Sequence, residues 1–287
     1  MKGSKRGTPL GCHLEWQNHY PMKPVILCDL DGVVWLAHRP IPGSSEGVAR
    51  LRAAGHRVLF VTNNSSATVA AQEEALAGVG IDARGDVVTS AMSGAHVLAH
   101  GERVLICGGP GIHEAVATVG AEVVSHDEVD RGARVDTVLV GFHRDFDYEI
   151  MRRASGAVRS GARLVGTNDD ATYPTPDGPI PGGGSILAAI STAAGCSPVV
   201  TGKPYPPMAD VVRAIEPAVD ATAVMVGDRP STDGAFATTL GCRYALVRSG
   251  VTASHLNVAD DPAWFEGSTA WVDVADLAAV ARVVLGG

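Results

Sequence analysis

The chain has 287 residues, 46% of them apolar, with 31 acidic against 23 basic side chains and a formal net charge of −8. That length suits one large domain or two ordinary ones with real cores; the acidic balance argues against a nucleic-acid partner, and no run approaches the ~20 apolar residues of a membrane span. The five cysteines (Cys12, Cys28, Cys107, Cys196, Cys242) are scattered without metal-type spacing and read as reduced thiols, so a cytoplasmic location is the expectation.

Residues 1–21 carry Lys2, Lys5 and Arg6, no apolar period and no hydrophobic stretch of a secretory signal. They read as an N-terminal extension or a cloning remnant. The first core element is the apolar run Val25-Ile26-Leu27, which leads into Cys28-Asp29-Leu30-Asp31-Gly32. Side chains at i and i+2 of a strand share a face. Asp29 and Asp31 are therefore expected to emerge together at the strand's carboxyl end, where open α/β sheets place ligands. Two carboxylates so close at an apolar strand end repel unless a cation sits between them. Mg²⁺, a hard ion held by a few carboxylates and otherwise by water and phosphate oxygens, fits that place.

A second apolar strand, Val58-Leu59-Phe60-Val61, ends in Thr62-Asn63-Asn64-Ser65-Ser66, and a helix is expected from Val69 to Ala77. Hydroxyls, amides and a helix N-terminus together favour an anion. Further strands are expected at 103–107, 137–140 and 163–165, with helices at 112–119 and 148–160. The turn Gly108-Gly109-Pro110-Gly111 matches no nucleotide-binding loop and reads as a tight turn. Pro181-Gly182-Gly183-Gly184-Ser185 reads as a hinge with a helix starting at Ser185. A short strand at 198–200 precedes Thr201-Gly202-Lys203-Pro204, and Ala223-Val224-Met225-Val226 runs into Gly227-Asp228-Arg229-Pro230-Ser231-Thr232-Asp233. A strand at 244–247 and a helix at 275–285 close the chain.

Four clusters thus follow in order: a carboxylate pair, a hydroxyl-amide turn, a lysine and a second carboxylate pair. Asp29-x-Asp31-Gly32, Thr62-Asn63-Asn64, Gly202-Lys203-Pro204 and Gly227-Asp228-Arg229…Thr232-Asp233 resemble the four motifs of the haloacid dehalogenase superfamily. The match is closer to its type IIA branch, the 4-nitrophenylphosphatase-like enzymes, and runs from about Lys23 to Gly250. Supporting stretches are Val88–Ala91, Val140–Phe142 and Gly166–Asn168.

The resemblance implies an α/β fold: a doubly wound parallel-sheet, Rossmann-like core from residues 22–87 and 183–287, with an inserted α/β cap at 88–182. It implies a Mg²⁺-dependent phosphatase of small phosphorylated metabolites. Asp29 would be the nucleophile forming an aspartyl-phosphate, and Asp31 the acid and then the base. Thr62, Asn63, Asn64 and Lys203 would hold the phosphoryl group. Asp29, the Asp31 carbonyl and Asp228 would bind the metal, with Asp233 orienting a metal-bound water. In the cap, Asp169 replaces the branch's usual proline and His143, followed by Arg144, its usual aspartate; His143, Arg144, Asp169 and Asp170 are assigned to substrate choice. Pro230-Ser231 also departs and is expected to reshape the fourth loop near Asp228. A phosphomutase-type transferase and a non-catalytic phosphometabolite-binding protein are the alternatives. Partners are expected to be a small metabolite and a second copy through the cap, without nucleic acid or membrane.

Overall fold

A computed structural model describes residues 23–36, 38–173, 175, 178–250 and 270–287. The expected N-terminal extension and Cys12 lie outside the described residues. The chain opens with β1 (Ile26–Cys28), a small hairpin of β2 (Trp35–Leu36) and β3 (Arg39–Pro40), then α1 (Ser44–Ala53) and β4 (Val58–Thr62). α2 (Val69–Gly78), β5 (Val87–Thr89) and α3 (Ser90–His96) follow. The middle of the chain builds β6 (Arg103–Cys107), α4 (Pro110–Thr118), β7 (Glu122–Val124), α5 (His126–Asp130), β8 (Thr137–Val140), α6 (Tyr148–Arg159) and β9 (Arg163–Gly166). The hairpin β10 (Thr172–Tyr173) and β11 (Ile180–Pro181), α7 (Gly183–Ala194) and β12 (Val199–Val200) complete it. α8 (Pro206–Ile215), β13 (Val224–Gly227), a wide helical turn at Pro230–Gly234, α9 (Ala235–Leu240), β14 (Arg243–Val247), β15 (Val272–Val274) and α10 (Leu277–Val284) finish the chain.

Two parallel sheets result. The first has the order β15-β14-β13-β1-β4-β5, with Ile26 opposite Val224 on one side and Val58 on the other. Its strands are apolar on both faces, as a sheet covered twice requires. Ile26, Phe60, Val226 and Val247 face α1 and α10, whereas Leu27, Val61, Met225 and Leu246 face α8 and α9. β1 lies between β4 and β13, so the chain winds away from it in both directions. The carboxyl end of β1 is therefore the switch point where such sheets open a crevice.

The second sheet has the order β12-β9-β8-β6-β7. One face packs α6 and α7 through Leu105, Val140, Leu164, Leu187 and Ile190, and the other packs α3 and α4 through Ile106, Leu139, Ala95 and Ile112. This corrects the expected return point. α7 and β12 belong to the second sheet, so the inserted unit extends to Val200 rather than residue 182. The apolar pattern of α7 suits either sheet, and only the β12–β9 pairing settles which. α7 also begins at Gly183, two residues before the expected Ser185.

Helix ends follow local chemistry. Thr68, Asp147 and Asp276 accept hydrogen bonds from backbone N–H groups three residues on, and Pro110 and Pro206 occupy first-turn positions. The glycine turn at the start of α4 is one place where the two units touch: the Gly111 N–H donates to Ser66 O at 2.9 Å. A Cβ on Gly109 or Gly111 would meet Ser66 or Ala67 at 2.3 or 2.2 Å. Among the described residues Cys28 and Cys107 are buried thiols and Cys196 and Cys242 half-buried, all free. No described helix is long and apolar enough to cross a membrane.

Candidate active site

The loops leaving β1, β4, β12 and β13 meet around one cavity of about 80 Å³. A water needs ~10–15 Å³ on this measure, so a phosphoryl-sized group and a few waters fit. β1 stops at Cys28, and the Asp29 N–H still bonds Val226 O at 2.9 Å. The chain then turns: Gly32, at φ 88, donates to Trp35 O at 2.7 Å. Asp29 and Asp31 line the same cavity, but a turn brings them together rather than strand alternation.

Lys203 is the electrostatic centre. Its side chain is 1% exposed, and its Nζ lies 2.9 Å from Asp29 Oδ1 and 2.7 Å from Asp233 Oδ1. Burial alone would lower the lysine, but the Asp233 and Asp29 carboxylates outweigh it and hold the ammonium above its ordinary range. Burial pushes the Asp233 carboxyl up, against the pull of Lys203. The sequence suggests that this lysine leaves a strand of the first sheet. It comes instead from β12 in the second sheet, so the inserted unit directly positions it.

Carboxylate oxygens of Asp29, Asp228 and Asp233 lie within 4.8 Å of one another. Three clustered acids, two of them paired with one ammonium, leave net negative charge in a mostly buried place, which a hard divalent cation offsets. The donor set is all oxygen, which suits Mg²⁺. The Asp31 carboxylate is not part of this set, although it lines the same cavity. Close packing fixes the acids: a Cβ on Gly32 would sit 2.3 Å from Asp228 Oδ2, and one on Gly227 would sit 2.2 Å from Asp233. Pro230-Ser231 forms part of the wide helical turn after β13, which still brings both Asp228 and Asp233 into buried positions.

The phosphate-binding assignments divide. Thr62 is buried at the cavity wall, and its Oγ1 accepts from the Asn64 N–H at 3.1 Å. The Asn63 side chain is fully engaged in the protein: Nδ2 donates to Asp170 Oδ2 and Lys203 O, and Oδ1 accepts from the Lys203 N–H. It ties the Thr62 loop to the Lys203 loop. Asn64 Oδ1 accepts from the N–H groups of Ser66 and Ala67 and shapes the turn. Both side chains border the cavity, yet the polar atoms of Asn63 and the Oδ1 of Asn64 serve the scaffold.

The inserted-unit residues also divide. His143 is not at the cavity; its ring packs edge-on to Phe146 at 5.9 Å, and burial lowers its pKa. Asp169 is exposed and accepts from the Tyr205 hydroxyl. Asp170 does line the cavity, bonded to Asn63 Nδ2 at 2.9 Å and paired with Arg229 Nη1 at 3.3 Å. Arg144 lies in an adjoining hollow. Sequence reasoning assigned no role to Arg229, to Asn168, which donates to Asn63 O, or to the stacked Phe142–Tyr173 pair 5.5 Å apart. Asn168 and Arg229 stand inside stretches that carried the resemblance, and that was the available signal. Nothing in sequence pairs Phe142 with Tyr173.

Fold and site together define a hydrolase-type α/β centre: carboxylates and a buried lysine at the switch point of a parallel sheet. A family model described as haloacid dehalogenase-like hydrolase matches residues 26–122, and one described as HAD-hydrolase-like matches 200–267. The chain is 34% identical over 232 residues to an acid sugar phosphatase of Staphylococcus aureus, covering 79% of this chain and 86% of that one. It is 38% identical over 234 residues to a D-glycerol 3-phosphate phosphatase of Mycobacterium tuberculosis, covering 80% of this chain but only 64% of that enzyme's length. Among solved structures, a Mycobacterium tuberculosis glycerol phosphate phosphatase in complex with magnesium superposes with TM-score 0.78 at 35% identity, covering 89% and 75% of the two chains. A p-nitrophenyl phosphatase from Archaeoglobus fulgidus gives TM-score 0.81 at 28% identity over 92% and 100%. The chain belongs to the haloacid dehalogenase-like hydrolases, in the type IIA branch.

Proposed function

We propose that the chain is a Mg²⁺-dependent phosphatase that hydrolyses a small phosphate monoester through an aspartyl-phosphate on Asp29. The observation that carries this reading is Lys203 held between Asp29 and Asp233 beside a third carboxylate, Asp228. A lysine so placed holds an Asp29 carboxylate oxygen at a fixed position beside the cavity. Uncatalysed phosphate monoester hydrolysis is among the slowest reactions enzymes accelerate, by up to ~10²¹-fold, so positioning and charge neutralisation must act together.

Asp29, Asp228 and the Asp31 carbonyl would hold the Mg²⁺, which when bound neutralises phosphoryl charge. An Asp29 carboxylate oxygen forms a bond to phosphorus as the bond to the leaving oxygen breaks, while Asp31 gives that oxygen its proton. Water then attacks phosphorus, Asp31 takes its proton, the Asp29–phosphorus bond breaks and inorganic phosphate leaves. Thr62 and the neighbouring backbone face the phosphoryl oxygens, and Lys203 adds fixed positive charge. The inserted unit acts as a cap that excludes water and reads the leaving group.

The test is phosphate release from a panel including 4-nitrophenyl phosphate, glycerol phosphate and sugar phosphates, in Mg²⁺ and in EDTA, with Asp29→Asn as the control. Metal-dependent release above the Asp29→Asn level is expected. Release equal to that level on every member would overturn the reading.

A further inference from the structure

Beside the reaction cavity lies a larger hollow of about 470 Å³, which shares Asn64, Phe142 and Tyr173 with it and is bounded beyond them by Arg144, His38 and Thr175. Its character is the reverse of the cavity's. The chain carries an acidic excess of eight charges and the cavity is crowded with carboxylates, yet no described carboxylate lines the hollow. Arg144 is exposed into it and makes no ion pair among the described residues. An arginine without a carboxylate partner, beside a cavity built for an anion, presents a planar fork of donors to whatever enters.

The hollow is also built rather than incidental. Phe142 and Tyr173 stack at 5.5 Å and 16°, and form the wall that both spaces share. His38 is the one described residue other than glycine at positive φ, 64°, and its ring lies 4.9 Å from that of Trp35. A non-glycine residue in that region is uncommon and marks a turn held by its surroundings. Here the turn places His38 on the lining of the hollow that Arg144 also borders. Tyr173 borders both spaces: it lines the cavity together with Asp31 and the hollow together with Arg144. The hollow with Arg144 therefore adjoins the part of the cavity that holds the proposed leaving-group acid.

We propose that this hollow is a subsite for a second anionic group, with Arg144 as the residue that selects phosphate monoesters whose leaving alcohol carries a carboxylate or a further phosphate. This deepens the phosphatase reading and rests on it. Arg144 is exposed, so the ion pair is screened by salt and discriminates most strongly at low salt.

The experiment uses matched esters: phosphoglycolate against ethyl phosphate, 3-phosphooxypropionate against propyl phosphate, and a sugar bisphosphate against the monophosphate. kcat/KM is measured for each with the full chain, with Arg144→Gln and with Arg144→Lys, in Mg²⁺. Each ratio of anionic to neutral ester is taken on one preparation, so any loss of folded protein cancels. The unaltered chain is expected to favour at least one anionic ester by tenfold or more. Arg144→Gln should collapse that ratio to within about threefold of unity, with Arg144→Lys in between, because a point charge remains without the fork. The carboxylate and phosphate arms identify which anion the subsite takes. Ratios near unity in the unaltered chain, or a preference that survives in Arg144→Gln, would overturn the proposal. Failure of the phosphatase reading would look different: no ester, neutral or anionic, would turn over above the Asp29→Asn control.

Discussion

Replacing Lys203 by Met removes the cation between Asp29 and Asp233 while keeping an unbranched, apolar stem of similar length. At separations of 2.7 and 2.9 Å and an effective dielectric of about 20, each contact is worth roughly 6 kcal/mol before desolvation. Desolvation of the three ions offsets most of that, and breaking a buried pair costs a net ~3–5 kcal/mol. The loss should appear in urea unfolding of the metal-free protein in EDTA, as a lower midpoint at unchanged slope. Asp233 binds its proton more tightly folded than unfolded, because burial raises it and Lys203 no longer pulls it down. A carboxyl raised on folding adds stability as pH falls, so the deficit should be largest near pH 8 and shrink toward about pH 5.5. Mg²⁺ should also reduce it, because a bound cation compensates the same carboxylates. A loss below ~1 kcal/mol at about pH 8 in EDTA would refute the idea that this lysine neutralises buried acids. A loss that does not shrink on acidification would refute it equally.

Three further outcomes follow from the geometry. Gly32→Ala puts a Cβ 2.3 Å from Asp228 Oδ2 at a backbone φ of 88°, so Mg²⁺ affinity by calorimetry should fall at least tenfold, about 1.4 kcal/mol; unchanged affinity would show that Asp228 is not a ligand. Asp170→Asn and Arg229→Gln should each cost about 1–3 kcal/mol, and together less than their sum by roughly 1 kcal/mol, because they share one pair at 3.3 Å; strict additivity would mean the pair is not formed in solution. His126 and His143 are both lowered from 6.5, chiefly by burial. A histidine lowered on folding is destabilised when protonated, so Tm should fall as pH drops below about 6.5, and His126→Gln/His143→Gln should flatten that slope.

How far the sequence reaches is visible at particular residues. Val25-Ile26-Leu27 followed by Asp29 reads as a strand and its ligand end because a buried parallel strand must be apolar on both faces, and polar residues at its carboxyl end border the ligand crevice. The same logic places Thr62 and Asp228. Lys203 reads as a site residue, but not as one delivered by the second sheet. Val199-Val200 is too short to carry a pattern, and α7 before it is apolar in a way that suits either sheet. His143 and Arg144 are adjacent, so sequence treats them alike; the chain path after β8 sends one ring against Phe146 and the other side chain into the hollow. The side chain of Asn63 looks like a phosphate ligand until its partners, 107 and 140 residues away, are known. What stays hidden is the long-range pairing of polar groups, for which local periodicity has no signature.

Capture of the covalent intermediate decides whether Asp29 is the nucleophile. The protein is mixed with a turned-over monoester in Mg²⁺, quenched in acid, reduced with borohydride and digested for peptide mass analysis. Reduction converts an acyl phosphate on aspartate to homoserine. The account predicts homoserine at position 29 only, dependent on substrate. Substrate turnover with Asp29 unmodified, or homoserine at Asp31 or Asp228 instead, would contradict it.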